Sequence, residues 1–292
     1  MVAEPVLRRV ALVVHPTRRI DRALATLTGW AADHGVDVIQ LAVDGARLRE
    51  VAAPGVIQAG DLVVAVGGDG TVLASLRAAA PQGVPVLGVA CGSLGALTAV
   101  AADEISEALD SVRAGAWRAR SLPALAIGPE DAPDDWAAND FVVVRRGAGQ
   151  LVADLVVDDE LYARVAGDGL VVATALGSSA YSMAAGGPVL AAGTAAFVCT
   201  PLAMHGGSAP PLVVPGDAVV TIDVHPGFAG FDVEVDGRER EGRERRFRLA
   251  LHRDKLTLVT FEASGRGLAG LRKRRLITDS PRVLARDARA RG

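Results

Sequence analysis

The chain has 292 residues, of which 33 are glycine, half are hydrophobic and 22% are charged, so it can build one large or two medium domains. This composition excludes a disordered or collagen-like chain. The net charge of −3 predicts no general attraction to nucleic acid. Two cysteines, Cys91 and Cys199, are too few for a disulfide scaffold or a cysteine-rich zinc site.

No apolar run in the sequence approaches the roughly 18 residues that a membrane-spanning helix needs. The first apolar stretch, Val10 to Val14, is too short for a signal peptide and is followed by His-Pro and several arginines. We therefore expect a cytoplasmic protein without a membrane or nucleic-acid partner. No two histidines have the spacing of metal ligands, so we also expect no structural metal.

Segments typical of strands and helices alternate through the first third of the chain. Strands are expected at Arg9–Val14, Val36–Leu41, Leu62–Val66 and Pro85–Val89. Helices are expected at Ile20–His34, Thr71–Ala80 and Glu104–Arg113, the last with Asp103 as its N-cap. This alternation predicts a parallel, doubly wound sheet with helices on both faces.

The pattern changes near Trp117, where alternating segments separated by turn residues replace the helix signals. Strands are expected at Leu122–Ile127, Asn139–Arg145, Leu151–Val157, Glu160–Val165, Leu170–Thr174, Ala218–Val224, Phe231–Val235, Arg246–Leu251 and Lys255–Glu262, with a helix at Ser179–Ala185. We therefore predict an α/β domain over residues 1–118 and an all-β domain over 119–262, for which a sandwich is one arrangement. The Arg-rich tail, 263–292, is expected to pack back on the first domain.

The strongest local signal is a glycine-rich turn between a buried strand and a helix. Gly67, Gly68 and Gly70 fall within four residues and are followed by Thr71. Glycines allow positive φ and close ligand approach, and a helix N-terminus favours phosphate. A P-loop is excluded because no lysine precedes Lys255, and the spacing does not fit the Rossmann fingerprint. We therefore expect a nucleotide held mainly by backbone groups.

Asp69 is the one reactive side chain in this turn. It has two possible roles, and the local sequence does not choose between them. It can form an Asx turn or cap the helix that follows. Alternatively, it can act as a general base that accepts the proton of an attacking hydroxyl beside a phosphate.

Five segments, in order along the chain, resemble the motifs of the NAD kinase family, which belongs to a superfamily with the diacylglycerol and sphingosine kinases. They are Gly67–Thr71, Ala138–Asp140, Gly167–Pro188, Thr200–His205 and Asp236–Arg238. The third separates the NAD kinase branch from the lipid kinases. Five motifs in family order make a chance match very unlikely.

The resemblance implies a Rossmann-like N-terminal domain, a β-rich C-terminal domain and a site between them. It implies a kinase that uses ATP (or polyphosphate) with Mg²⁺ or another divalent cation. The acceptor would be the 2′-hydroxyl of the adenosine ribose of NAD, and the product NADP. Members of the family usually assemble as homodimers or homotetramers, which we expect here as well.

Residue roles are carried over from the matching motifs. Asp69 would be the catalytic base, and Gly67, Gly68, Gly70 and Thr71 would hold phosphate. Asn139 and Asp140 would bind polar groups of the acceptor, and Asp168 one of its hydroxyl or amide groups. The remaining substrate-binding candidates are Ser179, Ala180, Tyr181, which would stack on a ring, Ser182 and Ala184.

Several positions depart from the family motifs. Ala90 stands where the family has Asn, Ala96 where it has Phe, Leu176 where it has Thr, and Pro210 where it has Arg. These changes predict a looser acceptor pocket beside intact catalytic groups. Two alternatives stay open: a paralogous kinase acting on another nucleoside-like or polyol hydroxyl, and a nucleotide-binding regulator without turnover.

Overall fold

The structure is a computed structural model that describes residues 7–42, 49–92, 95–128, 133, 135–261, 272 and 277–290. Its first part is a parallel sheet with helices on both faces. The strands are β1 Arg9–Val14, β2 Asp37–Leu41, β3 Ala53–Gly55, β4 Leu62–Gly67, β5 Val86–Ala90 and β6 Val100–Ala101, and the helices are α1 Asp21–His34, α2 Asp69–Ala79 and α3 Ile105–Arg113. The strand order is β3-β2-β1-β4-β5, with β6 beside β5.

The order of these strands fixes where a ligand can bind. From β1 the chain goes to β2 on one side and, later, to β4 on the other. The connections on the two sides therefore leave a crevice at the carboxyl ends of β1 and β4, which is where open α/β sheets bind ligands. The glycine-rich turn follows β4 directly and lies at this crevice.

The second part of the chain is built almost entirely of antiparallel strands. They are β7 Arg118–Ile127, β8 Asp135–Ala137, β9 Asp140–Arg145, β10 Leu151–Val157, β11 Glu160–Gly167, β12 Gly169–Thr174, β13 Ala196–Leu202, β14 Leu212–Pro215, β15 Val219–His225, β16 Phe231–Val235, β17 Arg238–Glu239 and β18 Arg246–Thr260. A 3₁₀ turn at Gly177–Ser179 and a short helix, α4 Tyr181–Ala184, interrupt them. The α/β part followed by a β-rich part confirms the predicted fold class.

One long strand, β18, joins the two parts. Its first half pairs antiparallel with β15, and Leu258 near its end pairs parallel with Val86 of β5. The two strands expected at Arg246–Leu251 and Lys255–Glu262 are thus one strand, bent by a bulge between His252 and Leu256. Because of this strand, twelve strands form one continuous sheet, and the remaining six form a second sheet in the order β14-β13-β12-β9-β16-β17.

Separate apolar cores hold the layers together. One core contains α1 and α3 residues such as Leu27 and Leu109 on one face of the parallel sheet, and another contains Leu76 of α2 on the opposite face. A third fills the space between the two sheets of the β-rich part and includes Phe141, Phe197 and other fully buried side chains. Burial on both faces explains why β1, β4 and β5 are continuous apolar runs.

Helix α3 begins at Ile105, one residue later than the sequence predicts. The N-cap of α3 is Glu104 rather than the expected Asp103, and the Glu104 carboxylate accepts the N–H of Ala101 instead of capping the helix.

The tail 263–292 lies largely outside the described residues. Its described helix, α5 Pro281–Ala290, has almost all its side chains exposed. None of the helices described is long and apolar enough to cross a membrane.

Candidate active site

The glycine-rich turn is tight because of side-chain contact, not because of positive φ. None of Gly67, Gly68 and Gly70 has a positive φ angle, so that part of the sequence expectation was wrong. A Cβ on Gly67 would lie 2.3 Å from the Thr71 hydroxyl, and one on Gly68 would lie 3.2 Å from the Arg18 guanidinium. A Cβ on Gly70 would meet nothing within 4 Å. Gly70 therefore leaves open space at the start of α2.

Asp69 occupies the first turn of α2, and its carboxylate holds a neighbouring loop. Oδ2 accepts the N–H of Ala96 at 3.0 Å, and Oδ1 accepts the N–H of Leu97 at 2.9 Å. Gly95 is required beside it, because a Cβ there would lie 2.1 Å from Oδ1. A carboxylate has about four acceptor positions. Two hydrogen bonds therefore leave the Asp69 carboxylate able to accept a hydrogen bond from another donor, such as a hydroxyl group.

A cleft of about 500 Å³ opens beside this turn. Its walls come from the end of β1, the start of α2 and the turn at Asp236, Gly237 and Arg238. The cleft lies at the crevice that the strand order predicts. It combines the N-terminal N–H groups of α2 with positive side chains, which is a favourable arrangement for phosphate.

Two side chains that follow β1, His15 and Arg18, face the cleft. The Arg18 guanidinium lies over Gly68 and donates to the carbonyl of Cys91 at 3.2 Å. The His15 Nδ1 accepts the N–H groups of Thr17 and Arg18, each at 3.2 Å. Burial and then the charge of Arg18 lower the pKa of His15. The lowered pKa favours the neutral ring, and because Nδ1 accepts two N–H groups the proton of that neutral ring lies on Nε2.

Asp236 joins the cleft to the predicted acceptor residues. Its carboxylate accepts three consecutive N–H groups, those of Ala138, Asn139 and Asp140, at 3.0, 2.6 and 3.2 Å. Burial raises the pKa of Asp236, while these three hydrogen bonds and the nearby Arg77 act in the opposite direction. The Arg77 side chain, from α2, donates to the carbonyl of Val235 at 3.3 Å. The helix that carries Asp69 is thereby attached to the turn that positions Asn139.

Asp140 lies in the most acidic part of the site. Burial, followed by the negative charges of Asp236 and Glu234, raises its pKa to about 7. The pKa of Tyr181 is also raised, first by burial and then by Glu234, Asp168 and Asp140. These side chains are therefore electrostatic neighbours. Tyr181 is 41% exposed, so its ring is accessible for stacking.

The other predicted acceptor residues differ in whether their side chains are exposed or are held by neighbouring groups. Asp168 forms an ion pair with Arg145, whose Nε lies 2.5 Å from the Asp168 carboxylate. The Ser182 hydroxyl is fully buried and bonded to Thr200 at 2.8 Å, so it faces the interior rather than the surface. The Ser179 hydroxyl donates to the Leu176 carbonyl at 3.3 Å. Ala180 and Ala184 are exposed beside Tyr181.

The positions that depart from the family motifs do not form one pocket. Ala96 lies beside Asp69, to whose carboxylate its N–H donates. Ala90 is buried at the end of β5. Leu176 packs against the core beside α2 and borders a different cavity. Pro210 is exposed, and its carbonyl accepts the Tyr162 hydroxyl. The looser acceptor pocket expected from these changes stays a prediction.

The structure therefore forms two linked groups of residues. Asp69, Gly68, Gly70 and Thr71 line the cleft, whereas the predicted Gly67 lies behind it against Thr71. Asp140, Asp168 and Tyr181 form a second, acidic group connected to the cleft through Asp236. Sequence reasoning did not assign Arg18 a role, although a positive side chain just after the first strand of a doubly wound sheet was a usable signal.

Two family descriptions match the sequence. The ATP-NAD kinase N-terminal domain matches residues 43–116, and the ATP-NAD kinase C-terminal domain matches residues 138–252. A NAD kinase of Koribacter versatilis is 33% identical over 268 residues, which cover 86% of this chain and 93% of that protein. The chain belongs to the NAD kinase family. This is a family of phosphotransferases, as the motif resemblance implied.

Other NAD kinases match to different extents. The protein of Chloroflexus aurantiacus is 33% identical over 239 residues, covering 80% of this chain and 85% of that protein. The protein of Heliobacterium modesticaldum is 39% identical over 184 residues, covering 61% of this chain. The match spans just under two thirds of the length of the Heliobacterium and Moorella thermoacetica NAD kinases, at 65% and 64%.

Solved NAD kinase structures share the fold. Yeast NADH kinase, solved with NADH, superposes with a TM-score of 0.72 at 19% identity, covering 94% of this chain and 89% of that one. The NAD kinase of Archaeoglobus fulgidus, solved with ATP, gives a TM-score of 0.70 at 23% identity, covering 92% of this chain and all of that one. Both comparisons agree with the two-part α/β and β-rich architecture described above.

Proposed function

We propose that this NAD kinase family member transfers the terminal phosphoryl group of ATP, or of polyphosphate, to the 2′-hydroxyl of the adenosine ribose of NAD, making NADP. The observation that carries this proposal is the position of Asp69. Its carboxylate stands at the N-terminus of α2, beside a cleft lined by Arg18 and His15. The related NAD kinases, and the NADH and the ATP bound in the two similar structures, support the same reaction.

The donor phosphates would occupy the cleft. The N–H groups at the start of α2 and the positive end of its dipole would face phosphate oxygens. Arg18 supplies a permanent positive charge, and the His15 Nε2–H supplies a neutral donor. No lysine is needed for this arrangement.

Asp69 would act on the acceptor. As the 2′-oxygen of NAD attacks the terminal phosphorus of the donor, its O–H proton passes to Asp69. The bond from that phosphorus to the bridging oxygen breaks, and the electron pair leaves with ADP or with the shortened polyphosphate. The hydrogen bonds from Ala96 and Leu97 hold the carboxylate in place throughout.

The divalent cation would enter with the donor. Within the described part of the chain, no three His, Cys, Asp or Glu side chains are grouped to hold a metal ion. This fits Mg²⁺, which is commonly bound by substrate phosphates together with few protein ligands. When bound, Mg²⁺ neutralises charge that develops on the phosphate oxygens.

The acceptor would lie toward the acidic group. Asn139 offers both donor and acceptor atoms, and Asp140 and Asp168 offer acceptors for hydroxyl or amide groups. The exposed ring of Tyr181 offers a surface for stacking on a base. Exposed Ala180 and Ala184 and half-buried Ser179 would complete this surface, whereas Ser182 would support it from within.

The direct experiment incubates the purified chain with Mg-ATP or Mg-polyphosphate and a panel of acceptors. The panel contains NAD, NADH, adenosine, nicotinamide mononucleotide and inositol, and the products are identified by mass spectrometry. We expect NAD or NADH to gain one phosphoryl group. Phosphorylation of another member of the panel, without reaction of either dinucleotide, would favour the paralogous kinase instead.

Replacing Arg18 with glutamine should weaken donor binding. The guanidinium is the positive side chain that lies over Gly68, and a hydrogen bond to a charged group contributes about 1.5–3 kcal/mol. We expect KM for Mg-ATP to rise about tenfold or more while KM for NAD changes little. Arg19→Gln, at the exposed neighbouring position, is the matched control. Equal effects of the two substitutions would show that Arg18 does not bind the donor.

We also propose a homodimer or homotetramer. Strands β11 and β14 are each an outer strand of one sheet, and the Tyr162 hydroxyl of β11 donates to the carbonyl of Pro210, two residues before β14. Leu161 on β11 is 53% exposed and Val213 on β14 is 45% exposed. Open strand edges with apolar side chains favour association. Light scattering should give two or four times the chain mass of 30.0 kDa, and a monomer at micromolar concentration would contradict this.

A further inference from the structure

A second cavity, of about 280 Å³, lies apart from the cleft beside Asp69. Strands β7 and β18 form one side of it, and residues 175–176 and 192–195 form the other. None of its lining residues lines the first cleft. None of the residues that the proposed reaction assigns a role lines this cavity.

Arg120 gives the cavity its charge. It lies on β7, two residues before the buried Leu122, and its side chain is half-buried. Among the described residues, no carboxylate or other acceptor pairs with its guanidinium, and burial lowers its pKa. An unpaired guanidinium that has lost part of its hydration is unfavourable, and an anion in the cavity would compensate for this.

A bulge brings a second arginine to the same cavity. His252 of β18 pairs with Ala124 of β7, and Leu256 pairs with Leu122. Three residues of β18 therefore stand opposite Pro123 alone. Arg253, one of these three, lines the cavity together with Arg120. Bulges commonly redirect side chains in this way.

The rest of the lining suits an organic ligand better than a bare ion. Leu122, Leu176 and Leu251 provide an apolar wall, and Ser121 and Thr194 add hydroxyl groups. Asp254 also lines the cavity, so a ligand with more than one strongly negative group is disfavoured there. The lining thus pairs two positive side chains with apolar surface.

We propose that this cavity is a second binding site, which takes a small ligand with one phosphate or carboxylate group on an apolar body. The anionic group lies between Arg120 and Arg253, and the apolar body lies against Leu122 and Leu176. The site is independent of the phosphoryl-transfer cleft.

Calorimetric titration with phenyl phosphate and with benzoate tests the proposal and distinguishes the two anionic groups, and phenol is the uncharged control. At least one of the two anions should bind, and phenol should not. Arg120→Gln should weaken that binding about tenfold or more, since a hydrogen bond to a charged group is lost. Arg253→Gln, at an exposed position, should weaken it in the same direction without a risk to folding.

Two matched variants decide where the probe binds. Arg118→Gln removes an exposed arginine from the same strand outside the cavity and should leave the affinity unchanged. Arg18→Gln alters only the donor cleft and should also leave it unchanged. The proposal is overturned if neither anion binds, if Arg120→Gln and Arg118→Gln behave alike, or if Arg18→Gln alone abolishes binding.

Discussion

Replacing Asp69 with asparagine should lower kcat for phosphoryl transfer by about 10²–10⁴-fold, the usual cost of losing a general base. Asparagine keeps the shape of the side chain but cannot take the proton of the 2′-hydroxyl. The rate is measured at saturating Mg-ATP and NAD. Because Asp69 also binds Ala96 and Leu97, the free energy of unfolding should fall by about 1–3 kcal/mol when one of these N–H groups loses its acceptor.

Thr98 separates the chemical role of Asp69 from its structural role. The Thr98 hydroxyl accepts the N–H of Gly95 at 2.7 Å, so it holds the same loop without contacting the carboxylate. Thr98→Val should therefore reduce stability similarly to Asp69→Asn but keep kcat within a few-fold of the parent chain. If Thr98→Val lost as much activity as Asp69→Asn, loop placement alone would explain both results and the general base would be rejected.

Replacing Asp140 with asparagine should make stability less dependent on pH. Burial and the charges of Asp236 and Glu234 raise the pKa of Asp140 to about 7. A carboxyl group whose pKa is higher in the folded than in the unfolded state lowers stability as the pH rises from its unfolded-state pKa to its folded-state pKa. Relative to the parent chain, Asp140→Asn should thus gain up to about 4 kcal/mol at pH 8 and almost nothing at pH 4.

Denaturant unfolding at a series of pH values measures this difference. Asp33→Asn, which removes an exposed carboxyl on α1, is the control and should change stability little at any pH. A difference between Asp140→Asn and the parent chain that stays constant from pH 4 to pH 8 would contradict a raised pKa at Asp140.

The sequence predicts the α/β part well because its signals are local. The apolar runs of β1, β4 and β5 and the helical spacing of α1 lie within a few residues of their expected bounds. Strand β13, Ala196–Leu202, has no counterpart among the predicted strands. It is buried on both faces and shows no alternation. The period-two signal used for the β-rich part does not detect such a strand.

The joining of the two sheets by β18 could not be predicted in the same way. Nothing near Leu258 indicates that it pairs with Val86, which lies far away in the sequence. The bulge also splits the apolar pattern of β18, so one strand looks like two. Long-range pairing of this kind depends on the whole fold rather than on local propensity.

The candidate site shows the same division. The motif order identifies Asp69 and Asn139, but not that Asp69 holds the loop at Ala96 or that Asp236 binds the backbone of Asn139. These hydrogen bonds join residues 27 and 97 positions apart. For the same reason, the sequence does not reveal that the Ser182 hydroxyl is directed toward Thr200 in the interior.

The position of the transferred phosphate tests the central claim most directly. The chain is incubated with Mg-ATP and NAD, and phosphorus–proton correlation NMR identifies the carbon whose oxygen carries the new phosphate. The account predicts a phosphate on the 2′-oxygen of the adenosine ribose, formed by the parent chain and almost absent with Asp69→Asn. A phosphate at another hydroxyl, or equal product from the two proteins, would contradict it.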